Sequence, residues 1–388
     1  MTQIAPLCLT GARVLTPQSF DTTSITVAQG RISTQTAPEV DLSGYLLLPG
    51  IVDLHGDGFE RHLNPRPSAP FEKRRALASA AAELAANGVT TAWFAQSWSW
   101  EGGFRSGGAT EALLEALSAV RQTLLPDVRL QVRLETHVVP EHGAVGAAIA
   151  RHGVDYVVFN NHLPEAVELY DSAPDRFASW AAQHRLTTPE MLKIVRDAQA
   201  QEPDVAQALR AIAAEFATAG VKMGSHDDDC AATRARFRAL QAQICEFPTS
   251  VAAAQAAHDH GEPVLMGAPN VVRRGSQSGN IAAEDLIKHG LCDALVSDYY
   301  YPALAQAAFA LVDRTICDLP HAWSMISTAP ARIMGLHDRG TIVPGQRADL
   351  VAVNPDTRMI EMTLCAGKIA HMSGALAARM MLPAAVYA

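Results

Sequence analysis

The sequence predicts an α/β fold: a (β/α)8 TIM-like barrel carrying a small β-sandwich domain built from both chain ends. Three observations carry that expectation. Residues 49–335 alternate short apolar strands with helical sequence about eight times, the texture of a parallel sheet with helices outside it. Residues 1–48 and 336–388 are strand-rich and broken by Gly and Pro, which suits one β domain assembled from two flanks. Ionisable side chains gather where the apolar strands end, and in a parallel barrel ligands bind at that end.

In chain order, strands are expected near 7–9, 13–15 and 24–27, separated by Gly11, Pro17 and Gly30. The barrel opens within LLLPGIVDLHGDGFERHLNPRP, residues 46–67, where Pro49-Gly50 precedes an apolar strand from Ile51. A helix over 72–87 stops at Gly88, because glycine readily takes the left-handed cap conformation. Strand 89–96 follows, then helix 111–124 behind Thr110, strand 129–138, helix 142–152 and strand 154–160. Helices over 189–201 and 204–219 are divided by Pro203. Further strands fit 221–225, the region of 244–247, 263–266 and 293–297. The C-terminal flank reads as strands 341–343, 349–353, 359–365 and 368–371, with turns at Pro344-Gly345, Asn354-Pro355 and Gly367.

Composition narrows the function. A chain of 388 residues, 48% hydrophobic, can bury a large core. Its net charge of −9 argues against nucleic acid as a partner. No apolar run is long enough to span a bilayer. The N-terminus lacks the basic and apolar regions of a signal peptide, and six scattered cysteines form no C-x-x-C pair, so reduced thiols and a cytoplasmic location are expected. A homo-oligomer is compatible with all of this.

The chemistry sits at strand ends. His55 and Asp57 end the first barrel strand, two residues apart and so on one face. Glu135 and His137 end the third; Thr136 separates them, so both could face the mouth. His162 follows the fourth, His226 opens the run Asp227-Asp228-Asp229, and Asp298 ends the last. Taken singly, a strand-end histidine is more often a hydrogen-bonded structural residue, and Asp298 could merely cap a helix. Together at one mouth these groups would repel or be desolvated unless a cation joined them. Imidazole with carboxylate suits a divalent metal, Zn²⁺ first, with Mn²⁺ or Fe²⁺ as alternatives. Residues 270–280, NVVRRGSQSGN, follow a strand and should overhang the mouth as a polar loop. Asn270, Arg273, Ser276 and Ser278, with Arg66 from the first loop, offer cationic and polar groups for phosphate. Adjacent residues on an extended segment point opposite ways, so only one of Arg273 and Arg274 should serve the site. An acidic protein with a basic mouth loop fits a small anionic, phosphorylated substrate rather than a polymer.

LPGIVDLH and GTIVPGQRADLVAV, the two expected domain junctions, resemble those of the amidohydrolase superfamily. HGDGFERHLNPRP, VVFNNHLP, GSHDDD, EFP, LMGAPNVVRRGSQSGN and LVSDYY together resemble, within it, the diphosphatases of phosphonate breakdown that act on a ribose 5-triphosphate. That family's first motif typically reads His-Thr-Asp-Asn-Leu-Glu-Lys-His; Gly56, Gly58, Phe59 and Arg61 stand at its variable places here. Where the family usually has Gly-Gln-Arg-Gln after the histidine, this chain has Pro164-Glu165-Ala166-Val167 after Leu163, without a basic group. The resemblance implies a set of His55, Asp57, Glu135, His162, His226 and Asp298 around one or two metal ions. Glu135 would bridge two ions, with His55, Asp57 and Asp298 on one and His162 and His226 on the other. Asp298 would also act as catalytic base, and His137 is the runner-up ligand. The implied reaction releases diphosphate and leaves a 5-phosphate. Hydrolysis of an amide or cyclic amide, deamination, and a non-enzymatic metal-binding scaffold are the alternatives.

Overall fold

A computed structural model describes residues 5–66, 69–184, 186–276 and 279–381. Its centre is an eight-stranded sheet of β1 (Ile51–Gly56), β2 (Val89–Trp98), β3 (Asp127–Glu135), β4 (Tyr156–Asn160), β5 (Lys222–His226), β6 (Ile244–Glu246), β7 (Val264–Gly267) and β8 (Ala294–Val296). Each strand pairs in parallel with the next, in sequence order. All ten residues of β2 are buried, as expected for a sheet covered on both faces. Val52, Leu54, Trp93, Tyr156, Val158, Ile244, Leu265, Ala294 and Val296 fill the barrel interior. Ala329, Ala331 and Met334, on and just after helix Thr328–Ile333, join the same cluster. The lower barrel is therefore a packed floor beneath the polar residues of the mouth.

The seam between β8 and β1 closes in two ways. At the mouth, Asp57 N–H donates to Asp298 O at 2.8 Å and Asp298 N–H to His55 O at 2.9 Å. Lower down no backbone hydrogen bond joins the two strands directly. Val52 N–H reaches Ile326 O and Leu295 N–H reaches Met325 O, both at 2.9 Å, so a segment from beyond β8 fills the gap. Asp53 stitches the middle: its carboxylate accepts Ser297 N–H at 2.9 Å and Ser297 Oγ–H at 2.5 Å. Burial pushes Asp53 up, and these hydrogen bonds oppose the shift.

β1 carries a bulge. Asp53 pairs with Ala92 but Gly56 with Phe94, so Leu54 and His55 together face Trp93. The extra residue breaks the period of two. Val52 and Leu54 pack inside the barrel, and His55 lines the mouth as well.

The chain ends form the sandwich. A four-stranded sheet orders Arg31–Ser33, Ile25–Ala28, Leu7–Thr10 and Glu39–Asp41. A six-stranded sheet orders Lys368–Met372, Ile360–Cys365, Leu350–Val353, Leu46–Pro49, Arg13–Leu15 and Phe20–Asp21. Leu9, Val27, Leu47, Leu350 and Leu364 belong to the core they share. Leu46–Pro49 pairs with Leu350–Val353 and runs straight into β1, while Trp323 Nε1–H donates to Pro49 O at 2.9 Å. Residues 341–343, expected as a strand, are irregular, and the chain instead adds helix Gly374–Met381. Pro203 does not interrupt a helix but lies in the first turn of Glu202–Thr218, where a missing N–H costs nothing.

Gly56 is held by its surroundings. A Cβ there would lie 2.7 Å from Ser297 Oγ, 2.8 Å from Asp53 Oδ2 and 2.9 Å from Tyr301 Cε1. Gly56→Ala should therefore destabilise by about 1–3 kcal/mol, the usual range for overpacking, read as a lower thermal midpoint. An unchanged midpoint would show that the seam yields freely.

Candidate functional site

A cavity of about 260 Å³ opens at the C-terminal ends of the strands. His55 and Asp57 enter it from β1 and its exit, Arg133 from β3, His226 and Asp227 from β5 and its exit, and Asp298 from beyond β8. Arg273 and Ser276 line it from the rim. Asp227, Phe247 and Asp298 follow strand ends with φ of +59°, +50° and +55°. Left-handed backbone at three non-glycine residues of one mouth is uncommon, and such positions concentrate at functional sites.

Three imidazoles are each held at Nδ1 by a carboxylate. His55 meets Glu246 Oε2 at 2.7 Å, His162 meets Glu135 Oε1 at 2.5 Å, and His226 meets Asp227 Oδ2 at 2.7 Å. The His55 and His226 ring centres lie 5.3 Å apart, those of His162 and His226 6.4 Å. Among the described residues none hydrogen-bonds the Nε2 atoms. Histidine held by carboxylate at one nitrogen and free at the other is the usual arrangement of a metal-ligating imidazole. Glu246 is itself fixed, accepting from Gln131 Nε2 at 2.8 Å and from the Tyr156 hydroxyl at 2.5 Å.

Charge and burial compete here. Burial alone would lower His55 and His162, but the Glu246 and Glu135 carboxylates outweigh it and raise both. For His226 burial wins over Asp227, and its pKa falls. Glu135 and Glu246 are lowered because their histidines outweigh burial. Asp298 has no such partner. Burial, then repulsion from Asp57, pushes it up to about 6.

These residues fit a divalent cation. Ligand atoms of His55, His226 and Glu246 lie within 4.8 Å of one another, and Asp57 and Asp298 share their cavity. A donor set of two imidazoles and three carboxylates is suited to Zn²⁺, Mn²⁺ or Fe²⁺.

The other expected residues divide. Glu135 and His162 pair beside His226 but are not among the residues lining this cavity. Trp100 Nε1–H also donates to Glu135, at 3.3 Å. Asn270 lines the cavity, and its amide ties down the returning chain through Ala283 N–H at 3.0 Å and Ile281 O at 3.3 Å. The expected loop starts as a helix, Ala268–Arg273, because Pro269 suits a first turn. Arg273 ends it and donates to the Tyr299 hydroxyl at 3.2 Å. Arg274 is left-handed, with φ +63°, and does not line the cavity. The two arginines thus diverge at a helix end, not along an extended strand. Arg66 sits exposed in a bend and does not reach the cavity. Ser278 lies outside the described residues. His137 also turns elsewhere: β3 ends at Glu135, the chain turns, and the ring bonds Thr136 Oγ1 at 2.9 Å and Glu202 Oε2 at 2.7 Å.

Two site residues escaped the sequence reading. Glu246 ends a short apolar strand, and the strand-end rule applied to the other acids would have found it. Arg133 lies two residues before Glu135 and so on the same face.

The sequence signature of the amidohydrolase family matches residues 56–371. Over 346 residues the chain is 35% identical to alpha-D-ribose 1-methylphosphonate 5-triphosphate diphosphatase of Escherichia coli (strain K12), covering 84% of this chain and 90% of that one. Similar solved structures include a beta-aspartyl dipeptidase from Fervidobacterium islandicum AW-1 (TM-score 0.62, 14% identity, 96% of this chain and 98% of that chain). Another is N-acetylglucosamine-6-phosphate deacetylase from Pasteurella multocida (TM-score 0.62, 12% identity, 94% and 99%). At such identities the structures report the shared fold. No helix among the described residues is long and apolar enough to cross a membrane.

Asp298 yields a test in metal-free protein. Its folded pKa of about 6 exceeds the ordinary 3.8, so the folded state keeps a proton that the unfolded chain releases. Stability should then fall as pH rises from about 4 to about 6. Asp298→Asn removes that burden, and at pH 7 it should stabilise the metal-free protein by on the order of 3 kcal/mol, with little effect at pH 4. Equal effects at both values would remove Asp298 as the source.

Proposed function

The chain belongs to the amidohydrolase family of hydrolases, whose members use divalent metals, and from that premise we propose that it hydrolyses alpha-D-ribose 1-methylphosphonate 5-triphosphate to the 5-phosphate and diphosphate. What carries the reading is one cavity that combines a metal-type donor set with a guanidinium at its rim, in a chain similar to a diphosphatase along most of its length. In this reading His226, which shares one cavity with His55, Asp57 and Asp298 and not with His162, would join those three in holding one ion, Zn²⁺ before Mn²⁺ or Fe²⁺, and Glu135 and His162 would supply the donors for a second. Glu246 orients the His55 ring. When bound, the metal supplies Lewis-acid chemistry, drawing charge from phosphoryl oxygens and acidifying water.

The chain's own groups do the rest. Water attacks the α-phosphorus, forming a new P–O bond while the bond from that phosphorus to the bridging oxygen breaks. The Asp298 carboxylate accepts the water proton and returns it to the departing diphosphate. Arg273 holds non-bridging oxygens by charge-assisted hydrogen bonds. All six cysteines are unpaired, and we place the enzyme in the cytoplasm.

Purified protein should contain about one to two transition-metal ions, and chelation should abolish activity. His55→Ala and His226→Ala should each lower metal content, measured by elemental analysis. Full activity in metal-free protein would end this reading.

The substrate is tested with metal-loaded protein and a panel of sugar triphosphates, nucleoside triphosphates and simple amides, following diphosphate release and amide cleavage. Diphosphate should be the product from the ribose triphosphate. Arg273→Ala should lower kcat/KM for that triphosphate about 10- to 100-fold, since each such bond is worth roughly 1.5–3 kcal/mol. Arg274→Ala should do much less. Amide cleavage alone, with kinetics indifferent to Arg273, would favour the amidase chemistry of the structural neighbours.

A further inference from the structure

Among the described residues, Arg133 is the one arginine lining the cavity that the proposed chemistry leaves unused. It stands on β3, two residues before Glu135, and lines the cavity beside His55, His226 and Asp298. With the Asn160 carboxamide oxygen facing it, that oxygen accepts from Arg133 Nε at 3.1 Å and Nη2 at 3.2 Å. Nη1 has no hydrogen-bond partner among the described residues. The guanidinium lies close enough to Glu135, Asp227 and Asp298 for its charge to lower the pKa of each, yet it pairs with none of them.

That arrangement is unusual for arginine. A partly buried guanidinium is normally neutralised by a carboxylate, because desolvating an unpaired charge is costly. Here acids lie around it, and its only hydrogen-bond partner among the described residues is a neutral amide that orients one edge of the fork. The other edge remains for an anion. The barrel's topology adds a second constraint. β3 and β7 are four strands apart in a ring of eight, so they form opposite walls. Arg273 comes from the helix that directly follows β7. Arg133 and Arg273 therefore approach one cavity from opposite sides, one from within the barrel and one from the rim.

We propose that Arg133 forms an anion subsite on the wall facing Arg273, and that the two guanidiniums bracket the phosphate chain of the substrate. The bracketing rests on the diphosphatase reading, whereas the subsite itself requires only an anionic phosphoryl ligand. Planar bidentate donors on both sides favour a chain of at least two phosphoryl groups over a single phosphate. Arg133 meets the oxygens of the phosphorus under attack, since it lines the cavity beside His55, His226 and Asp298. Arg273 holds the leaving diphosphate further out.

The test is titration calorimetry with inorganic pyrophosphate and inorganic phosphate on the protein as purified, alongside steady-state kinetics on the triphosphate. Arg133→Gln keeps a donor toward Asn160 but removes the charge. Pyrophosphate affinity should fall about 10- to 100-fold, phosphate affinity less, and kcat should fall together with kcat/KM. The dependence of pyrophosphate affinity on salt should also become shallower. Should the Gln variant fail to fold, Arg133→Lys keeps the charge and loses the fork, and pyrophosphate affinity should still fall several-fold. Unchanged pyrophosphate affinity in a folded variant overturns the subsite and leaves Arg133 as a support for Asn160, visible only as a lower thermal midpoint. Wild-type protein that binds no pyrophosphate overturns it as well. Wild-type protein that binds pyrophosphate through Arg133 but releases no diphosphate from triphosphates sinks the diphosphatase reading and leaves the subsite standing.

Discussion

The crowding of like charge at the barrel mouth governs this molecule. Asp57, Glu135, Asp227, Glu246 and Asp298 approach a single region that water reaches poorly. Carboxylates so placed must protonate, pair or bind a cation. Three take the second course, each against a histidine. Asp298 takes the first, with its pKa lifted. Arg133 relieves part of the repulsion without pairing with any one acid. A divalent ion, of the kind the family uses, would complete the balance.

Building that mouth requires a floor that does not move. The apolar layer of Val52, Leu54, Trp93, Val158, Ile244 and Leu265 supplies it. Above it, Gln131 and Tyr156 fix Glu246, and Glu246 fixes His55. The bulge in β1 turns His55 into this network one residue earlier than regular pleating would. Asp53, left on the other face, closes the seam with Ser297. One irregularity thus lets a single strand serve the site and hold the barrel shut.

How much of this was legible in the sequence follows from range. Strand period, apolar runs and Gly-Pro punctuation are local signals, and they placed the eight strands and the two β-rich flanks. Ionisable residues at strand ends are local too, and they pointed to His55, Asp57, His226 and Asp298, all in the cavity. What failed depended on backbone detail. The turn after Glu135 sends His137 to a different surface, and pleating alone could not foresee it. The helix of Ala268–Arg273 replaced part of an expected loop because a proline that disrupts a helix interior favours its start. Glu246 and Arg133 looked like ordinary strand residues. For Glu246 the importance comes from neighbours more than a hundred residues away, His55 and Gln131.

The order in which the chain leaves the ribosome gives one of these contacts a further meaning. Leu46–Pro49 runs into β1, yet its antiparallel neighbour is Leu350–Val353, and the lower seam waits for Met325 and Ile326. Roughly 300 residues must be made between the first strand of this pair and the second. At about 5–20 residues per second that interval lasts on the order of tens of seconds. Through it the apolar edge of Leu46–Leu48 has no native partner on that side, and the ring cannot shut at its base. The nascent protein therefore passes a long interval as an open sheet, when chaperone protection of that edge matters most.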